Sequence, residues 1–324
     1  MIITDFKQKH IKEAQALALS NYYEEREYVE ALPETEWLPD LSVFAENGLG
    51  VAAIGEDGSL IGFLCCFEPW ENAFDSKAIG TFSPIHAHGA IKEKRAEIYK
   101  RMYQYAAEKW VKRGIAYHAI ALYAHDREAL LAMFQYGFGL RCVDAIRGMS
   151  PIELGVLREK SEFTFEELNK GEVSEIRDLR RLLSEHLGKS PCFMYSSEED
   201  FQNWLLRAEK RDSRIFVAKE RDKVVAFVEV QDEGENFVTY MPDMKNICGA
   251  LCLPEYRGQQ IFQELLNYMM EVLKKDGVKH LGVDFESFNP TAHAFWLKYF
   301  EAYTHSVVRR IDECAICTEG VILE

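Results

Sequence analysis

The strongest constraint on this chain is that it repeats itself. Gly114 and Gly277 lie 163 positions apart, and so do Ala129 and Ala292, Tyr136 and Tyr299, and Arg147 and Arg310; Phe63 and Phe227 differ by 164. A period that long is a whole domain rather than one turn of a solenoid, so the pattern predicts two copies of one unit in tandem. The 324 residues suffice for two domains of ordinary size, each with its own core. Pro84 and Pro254 are 170 apart, which reads as about seven extra residues in the first copy, in the loop before its long helix. The boundary is expected between Met149 and Glu162, where Ser150-Pro151 and Leu154-Gly155 suit a linker, giving domains 1–150 and 160–324.

Hydrophobic periodicity fills both copies with one order of elements. In the first, 2–6 reads as a strand, 8–26 as a helix and 41–46 as a short helix. Strands over 50–54 and 60–67 form a hairpin across Asp57-Gly58, a strong turn signal. A strand over 78–82 is followed by a long helix that stops at Gly114, a strand over 115–122, a helix over 127–136 and a strand over 140–146. The second copy has helices over 174–187 and 199–209, a hairpin of 214–218 with 224–230, and a strand over 246–253. It continues with a helix over 259–275, a strand over 278–285, a helix over 291–299 and strands over 303–311 and 320–323. The alternation predicts a mixed α/β fold.

Composition removes several classes of function. A formal net charge of -15 repels nucleic acid and anionic membrane from most of the surface. No basic helix, finger spacing or aromatic-basic interleaving offsets it. No apolar stretch reaches the length of a membrane span. Met1-Ile2-Ile3-Thr4-Asp5-Phe6 lacks the basic lead and apolar run of a signal peptide. A cytoplasmic protein is expected, monomer or homodimer, without a nucleic-acid or membrane partner. Of its 8 cysteines, Cys65, Cys66, Cys248 and Cys252 sit in apolar runs and read as buried free thiols. Cys314-Ala315-Ile316-Cys317 has no second pair and reads as part of a C-terminal hairpin, so no metal site is expected. No phosphate-binding loop ending in Lys-Ser/Thr occurs, and Gly137-Phe138-Gly139 is too short to mark a dinucleotide fold.

The run Leu251-Cys252-Leu253-Pro254-Glu255-Tyr256-Arg257-Gly258-Gln259-Gln260-Ile261-Phe262 resembles the coenzyme-binding segment of the GCN5-related N-acetyltransferase (GNAT) superfamily. The resemblance implies two tandem GNAT-like acyl-coenzyme A N-acyltransferase domains, each a mixed central sheet flanked by helices. It also implies that the loop, usually Gln/Arg-x-x-Gly-x-Gly/Ala, turns backbone N–H groups and a helix N-terminus toward the pyrophosphate of acetyl-coenzyme A. Arg257 matches the leading Gln/Arg, Gln260 stands where the first Gly is expected, and Phe262 stands where Gly or Ala is expected. Gln and Phe keep their N–H donors; the Phe262 ring faces either the cofactor or the core. Leu251, Cys252 and Leu253, with Gly258, Gln259 and Ile261, complete the implied cofactor contacts on strand and loop.

Asn289-Pro290-Thr291-Ala292, followed by Phe295-Trp296-Leu297-Lys298-Tyr299-Phe300, resembles the family's Asn-x-x-Ala helix along the coenzyme, with Asn289 as cap and cofactor contact. Trp296 stands where many members carry the Tyr that protonates the thiolate, and an indole cannot serve as that acid. The first copy departs further. It reads Ser83-Pro84-Ile85-His86-Ala87-His88-Gly89-Ala90, with Met133 at the Tyr position. The resemblance therefore places the acyl-coenzyme A site in the second copy and implies a degenerate first one. His88-Gly89-Ala90 reads as a compact anion-binding turn. His86 and His88 admit a structural, a ligand-contact or a metal role.

Acetyl transfer to an amine requires a polarised thioester carbonyl, a neutral amine, a base for its proton, and release or protonation of the thiolate. Glu229, a charged residue inside an apolar strand-like run, is the first candidate base. Asp284 and Glu286 share one face of a strand end and suit a cationic amine, which makes Asp284 the second candidate. Tyr299, close to Trp296, is the third catalytic candidate. These features point to transfer of an acetyl or short acyl group from coenzyme A to a primary amine of a small molecule or peptide. The alternative is a non-catalytic tandem protein that binds coenzyme A or another small ligand. A tandem aminoacyl or peptidyl transferase with a transfer-RNA-linked donor is a third reading, against which the acidic charge argues. An open hole beside Leu251 favours the first reading; a hole filled by Phe262 favours the second.

Overall fold

The computed structural model describes residues 1–155, 163–169, 171–208, 210 and 213–316. The chain groups into two compact units, each assembled from separate segments. Met1–Glu30, Glu34–Val143 and Ala302–Glu324 form the first; Ala31–Pro33 and Asp144–Glu301 form the second. In chain order the first unit holds β1 (Ile2–Asp5), α1 (Ile11–Arg26), α2 (Ser42–Glu46), β2 (Val51–Ile54), β3 (Leu60–Leu64), β4 (Gly80–Ser83), β5 (His88–Ala90), α3 (Arg95–Lys112), β6 (Tyr117–Tyr123) and α4 (Arg127–Gln135). β7 (Gly139–Gly148) crosses the boundary after Val143. The second unit holds β8 (Phe163–Glu167), α5 (Arg177–Gly188), α6 (Glu198–Ala208), β9 (Arg214–Glu220), β10 (Lys223–Gln231), β11 (Met244–Cys252), α7 (Ile261–Lys275), β12 (His280–Glu286) and α8 (Pro290–Tyr299). β13 (Glu301–Arg310) pairs antiparallel with β6, from Thr304 opposite Tyr123 to Arg310 opposite Tyr117, and so completes the first unit. The strand expected over 320–323 lies outside the described residues, as does Cys317. Cys314 sits in a single turn, Glu313–Ala315, rather than a hairpin.

Both units lay down their strands in one pattern. β1-β2-β3-β5 is antiparallel, and β4 runs parallel to β6. In the second unit β8-β9-β10-β11 is antiparallel and β11 runs parallel to β12. Phe63 and Phe227 hold equivalent places, opposite Gly89 and Leu251. The units differ in how the middle strand is broken. β11 is continuous, with Cys248 as one extra residue between Ile247 and Gly249, which face the consecutive residues Val230 and Glu229; this is a β-bulge. In the first unit the Cys65 N–H meets the Ala87 carbonyl at 2.8 Å, so Pro84, Ile85 and His86 stand where the second unit has Cys248 alone. Proline cannot donate to a ladder, and the strand splits into β4 and β5.

This corrects the pairing of Pro84 with Pro254. The first unit needs only 91–94 to pass from β5 to α3, whereas the second uses 253–260 between β11 and α7. The helices end in register at Lys112 and Lys275, so α3 simply starts earlier. Gly114 (φ 77°) and Gly277 (φ 89°) close the two helices in the left-handed conformation that Gly adopts without strain. Ile98, Met102, Ala106 and Trp110 form the buried stripe of α3, and Ile261, Leu265, Met269 and Leu273 that of α7. β10 is apolar on both faces from Val224 to Val228, as expected for a strand covered by helices on each side.

Seven free cysteines are described, of which Cys65, Cys66, Cys142 and Cys192 are buried. Among the described residues no helix is long and apolar enough to cross a membrane. Phe227 is fully buried in β10. Phe227→Ala is expected to lower the unfolding free energy by about 3–5 kcal/mol, seen as a drop in the urea midpoint. Leu297→Ala, on the exposed face of α8, is expected to cost under about 1 kcal/mol.

Candidate functional site

β11 and β12 begin as neighbours and then part. Their parallel pairing runs from Met244–His280 to Ile247–Val283, while β11 stays paired to β10 as far as Cys252. The bulge at Cys248 bends the strand at the point of separation. Beyond it, the backbone groups of β11 that faced β12 no longer have a strand beside them. The chain then turns through Pro254–Tyr256 into α7, with Gly258 (φ 75°) and Gln260 (φ 66°) both left-handed. Gln260 holds that conformation with its side chain engaged, Oε1 accepting from the Gly155 N–H at 2.8 Å. Among the described residues no side chain caps α7, so its first N–H groups are available to a ligand.

The gap opens into a cavity of about 550 Å³, bounded by the end of β11, the loop, the first turn of α7, one face of α8, and Leu183 and His186 of α5. Ten of the sequence-predicted residues border it: Leu251, Cys252, Arg257, Gly258, Gln260, Ile261, Phe262, Asn289, Trp296 and Tyr299. Leu253 and Gln259 do not. The Leu253 N–H bonds to the Val225 carbonyl at 3.0 Å and its side chain is buried, while Gln259 is exposed and donates to the Glu255 carbonyl at 2.8 Å. Leu183 and His186 escaped the sequence reading. His186 Nε2 lies 3.3 Å from both Asn289 Oδ1 and Thr291 Oγ1, across more than a hundred residues of sequence. Asn289 caps α8, its Oδ1 accepting from the Ala292 N–H at 3.4 Å and the Thr291 hydroxyl at 2.8 Å.

The lining carries Arg257, Lys298 and His186, and among the described residues no Asp or Glu. Arg257 Nε donates to the Cys252 carbonyl at 3.0 Å, which fixes the guanidinium at the end of β11. Phe262 is half-buried and forms part of the cavity wall. Its ring stands edge-on to Phe295 (5.2 Å) and Trp296 (6.1 Å) on α8, and the cavity stays open beside it. The Tyr299 oxygen accepts from Gln263 Nε2 at 3.2 Å. Burial pushes the Cys252 thiol up to about 11, against the pull of Arg257.

Glu229 and Asp284 lie outside the lining. Glu229 is 2% exposed and sits opposite Gly249, next to Ala250 at the inner end of the cavity. A Cβ at Gly249 would meet Arg180 Nη1 at 2.8 Å and Glu229 Oε2 at 3.3 Å, so both charged groups converge on that glycine. Asp284 accepts from Asn246 Nδ2 at 2.6 Å; burial raises its carboxyl above the ordinary range and the Asn246 bond opposes this.

In the first unit the corresponding slot is occupied by the chain's own side chains. Asn21 of α1 takes both backbone groups of Ala90, donating to its carbonyl at 3.1 Å and accepting from its N–H at 3.0 Å. His88 spans from β5 to the Ala121 carbonyl of β6 at 2.5 Å, with the Tyr99 hydroxyl at 2.8 Å on its other nitrogen. His88-Gly89-Ala90 is thus a buried strand and not an anion-binding turn. Burial lowers both His86 and His88 to about 4, which favours the neutral imidazole at each. In the first turn of α3, Arg95 forks to Glu24 at 2.8 and 3.1 Å and reaches Asp126 at 3.2 Å.

Residues 176–301 match the family model described as the acetyltransferase (GNAT) family. No curated protein matches the chain. A GCN5-related N-acetyltransferase from Sphaerobacter thermophilus is similar at a TM-score of 0.56 and 13% identity, over 95% of each chain. A GNAT-family acetyltransferase from Colwellia psychrerythraea gives 0.49 and 11%, over 96% of this chain and 100% of that one. A tandem GNAT protein from the clavulanic acid biosynthesis pathway gives 0.48 and 11%, over 95% and 98%. At such identities the likeness is one of fold, and the Sphaerobacter structure extends it along nearly the whole chain.

The raised Cys252 thiol has a direct readout. Iodoacetamide labelling followed by peptide mass is expected to reach the exposed Cys314 first and the buried Cys65 and Cys66 last. Labelling of Cys252 is expected to be slow at neutral pH and to rise about tenfold per pH unit up to pH 10, because the thiolate is the reactive form. A plateau near pH 8.5 would contradict the burial argument.

Proposed function

We propose that the cavity of the second unit, whose residues 176–301 match the acetyltransferase (GNAT) family model, holds acetyl- or short acyl-coenzyme A for transfer to a primary amine of a small molecule or peptide. The observation that carries this reading is the charge of the lining. The chain has 53 Asp and Glu against 38 Lys and Arg, yet this cavity presents Arg257, Lys298 and His186 and no carboxylate among its described residues. A ligand with phosphates at one end and a thin uncharged arm fits such a site. Arg257 and the uncapped N-terminus of α7 suit the phosphates. Leu251, Phe262 and Phe295 offer apolar walls to the arm, and the free edge of β11 offers backbone partners. The volume lies in the usual range for small-molecule sites.

The bound thioester supplies the activated acyl group; the remaining tasks belong to the protein. In this reading an N–H of β11 beyond the bulge polarises the carbonyl. Glu229, at Gly249 beside the inner end of the cavity, takes the proton of the attacking amine directly or through water. Asp284 of β12, held by Asn246, is the second carboxylate candidate and suits the approach of a cationic acceptor. Tyr299 is the proton donor to the departing thiolate. Gln263 donates to its oxygen, which leaves the phenolic proton for another acceptor. Trp296 is 6% exposed and serves as a wall. The first unit takes no coenzyme A in this reading, since Asn21, His88 and Arg95 occupy the equivalent groups.

Calorimetric titration with acetyl-coenzyme A and free coenzyme A tests the assignment. One site per chain is expected, weakened by Phe262→Trp through added bulk. Arg257→Ala is expected to weaken it about tenfold, the size of one charge-assisted hydrogen bond. Glu229→Gln is expected to bind the coenzyme as the wild type does while lowering turnover of an amine acceptor by about 10²–10⁴. No binding at millimolar ligand overturns the assignment, and two sites per chain restore the first unit. Tight binding without turnover on any amine favours the non-catalytic reading.

A further inference from the structure

The first unit has a cavity of its own, of about 510 Å³, with the opposite character. It lies between the C-terminal half of α1, the end of β6 with the first turn of α4, and the start of α3. Five carboxylates line it against three fixed cations. One of those cations, Arg95, is already taken up by Glu24 and Asp126. Two groups in the lining stand out. Tyr123 is 5% exposed, and its hydroxyl is buried without a hydrogen-bond partner. Glu25 is 2% exposed and accepts from His125, through Nδ1 at 2.7 Å and the backbone N–H at 3.2 Å. The Tyr28 ring stacks flat on His125, with centroids 4.8 Å apart and planes 2° from parallel, and walls the site on that side.

We propose that this cavity is a second binding site, built for the primary ammonium group of a small amine or polyamine. An ammonium carries donors only. The Glu25 carboxylate and the unpartnered Tyr123 oxygen are acceptors in the same lining, and the exposed Tyr28 ring offers a face to a cation. An anion would meet five carboxylates with Arg95 already committed. A neutral polyol could satisfy Tyr123 but gains nothing from the charge. The inference does not rest on the coenzyme A reading, because no residue of this cavity belongs to the other one.

Proton linkage gives the site a signature. Burial pushes the Glu25 carboxyl up to about 7, against the pull of His125. Facing it are His125 and Asp126 from the β6–α4 turn and Tyr123 from β6, while Glu24 precedes it on its own helix and Arg95 lies beyond Glu24 and Asp126. A bound cation favours the ionised form, so Glu25 loses its proton when the ligand enters below about pH 7. Affinity is expected to rise from pH 6 to pH 8 and then level off.

The test is calorimetry on the full chain with putrescine and spermidine, with glutamate and glucose as controls, in two buffers of different ionisation heat. Saturable one-to-one binding of an amine is expected, with proton release at pH 6.5 and little at pH 8. Tyr123→Phe is expected to weaken it about tenfold. Glu25→Gln is expected to weaken it further and to abolish the proton release, while coenzyme A titrations of both variants match the wild type. The proposal is overturned if neither amine binds at millimolar concentration, if glutamate or glucose binds as well, or if amine binding is unchanged in the variants and so lies elsewhere. Should Glu25→Gln fail to fold, Tyr123→Phe and the wild-type proton release still decide.

Discussion

Cys248 stands between Ile247, the last residue of β11 to pair with β12, and Gly249, already back in register with β10. An inserted residue of this kind bends its strand and strengthens the twist, and the ladder with β10 resumes beyond it at Gly249. β11 therefore stays anchored to β10, whose apolar run from Val224 to Val228 is buried on both faces, and swings away from β12. A continuous parallel ladder would satisfy every backbone group on that edge and leave no gap. With the ladder interrupted, the edge of β11, the start of α7 and the side of α8 border one opening. Residues as far apart in sequence as His186, Leu251, Arg257 and Tyr299 share its walls. Cavity and bulge are one feature of the backbone.

The first unit shows the same break handled differently. Three residues that include Pro84 replace the single bulge residue, and the split is complete. Buried backbone donors and acceptors must find partners. In Asn21 the chain supplies a carboxamide, chemically a peptide group on a side chain, which serves both the N–H and the carbonyl of Ala90. His88 closes the remaining distance to β6. A cation in the first turn of a helix is unfavourable by itself, because the dipole is positive there. Arg95 is tolerated in α3 because Glu24 and Asp126 flank it. The slot is closed by specific satisfaction of its polar groups, and the ion cluster at its mouth is what gives the neighbouring cavity its acidic wall.

How much of this was legible in the sequence depends on what each residue does. The spacing of 163 survives at Gly114 and Gly277 because a left-handed helix stop admits few substitutes, and the core stripes of α3 and α7 follow from periodicity. Pro84 and Pro254 misled because proline breaks strands and also opens helical turns; one sits in the split and the other follows the strand end. The motif gave the order of Leu253 and Gln259 but not their direction, which is decided by the turn at Pro254–Tyr256. His186 beside Asn289, Arg180 beside Glu229, and Asn21 on Ala90 are long-range meetings of polar groups with no local signature. Glu229 itself was visible, since a charge inside a buried strand asks for a reason.

The two cavities also show why net charge says little about a site inside a protein. At physiological ionic strength the screening length is about 8 Å, comparable with the radius of a cavity of this size. A phosphate at the start of α7 therefore responds to Arg257, Lys298 and the helix N-terminus, and hardly to the remaining acidic surface of a chain with formal charge -15. The same screening lets the carboxylates beside Tyr123 act locally on a cation. Two copies of one fold can thus carry cavities of opposite sign within a single acidic chain. Each sign is set by a few side chains at the start of α3 or α7 and by whether the neighbouring strand edge is filled.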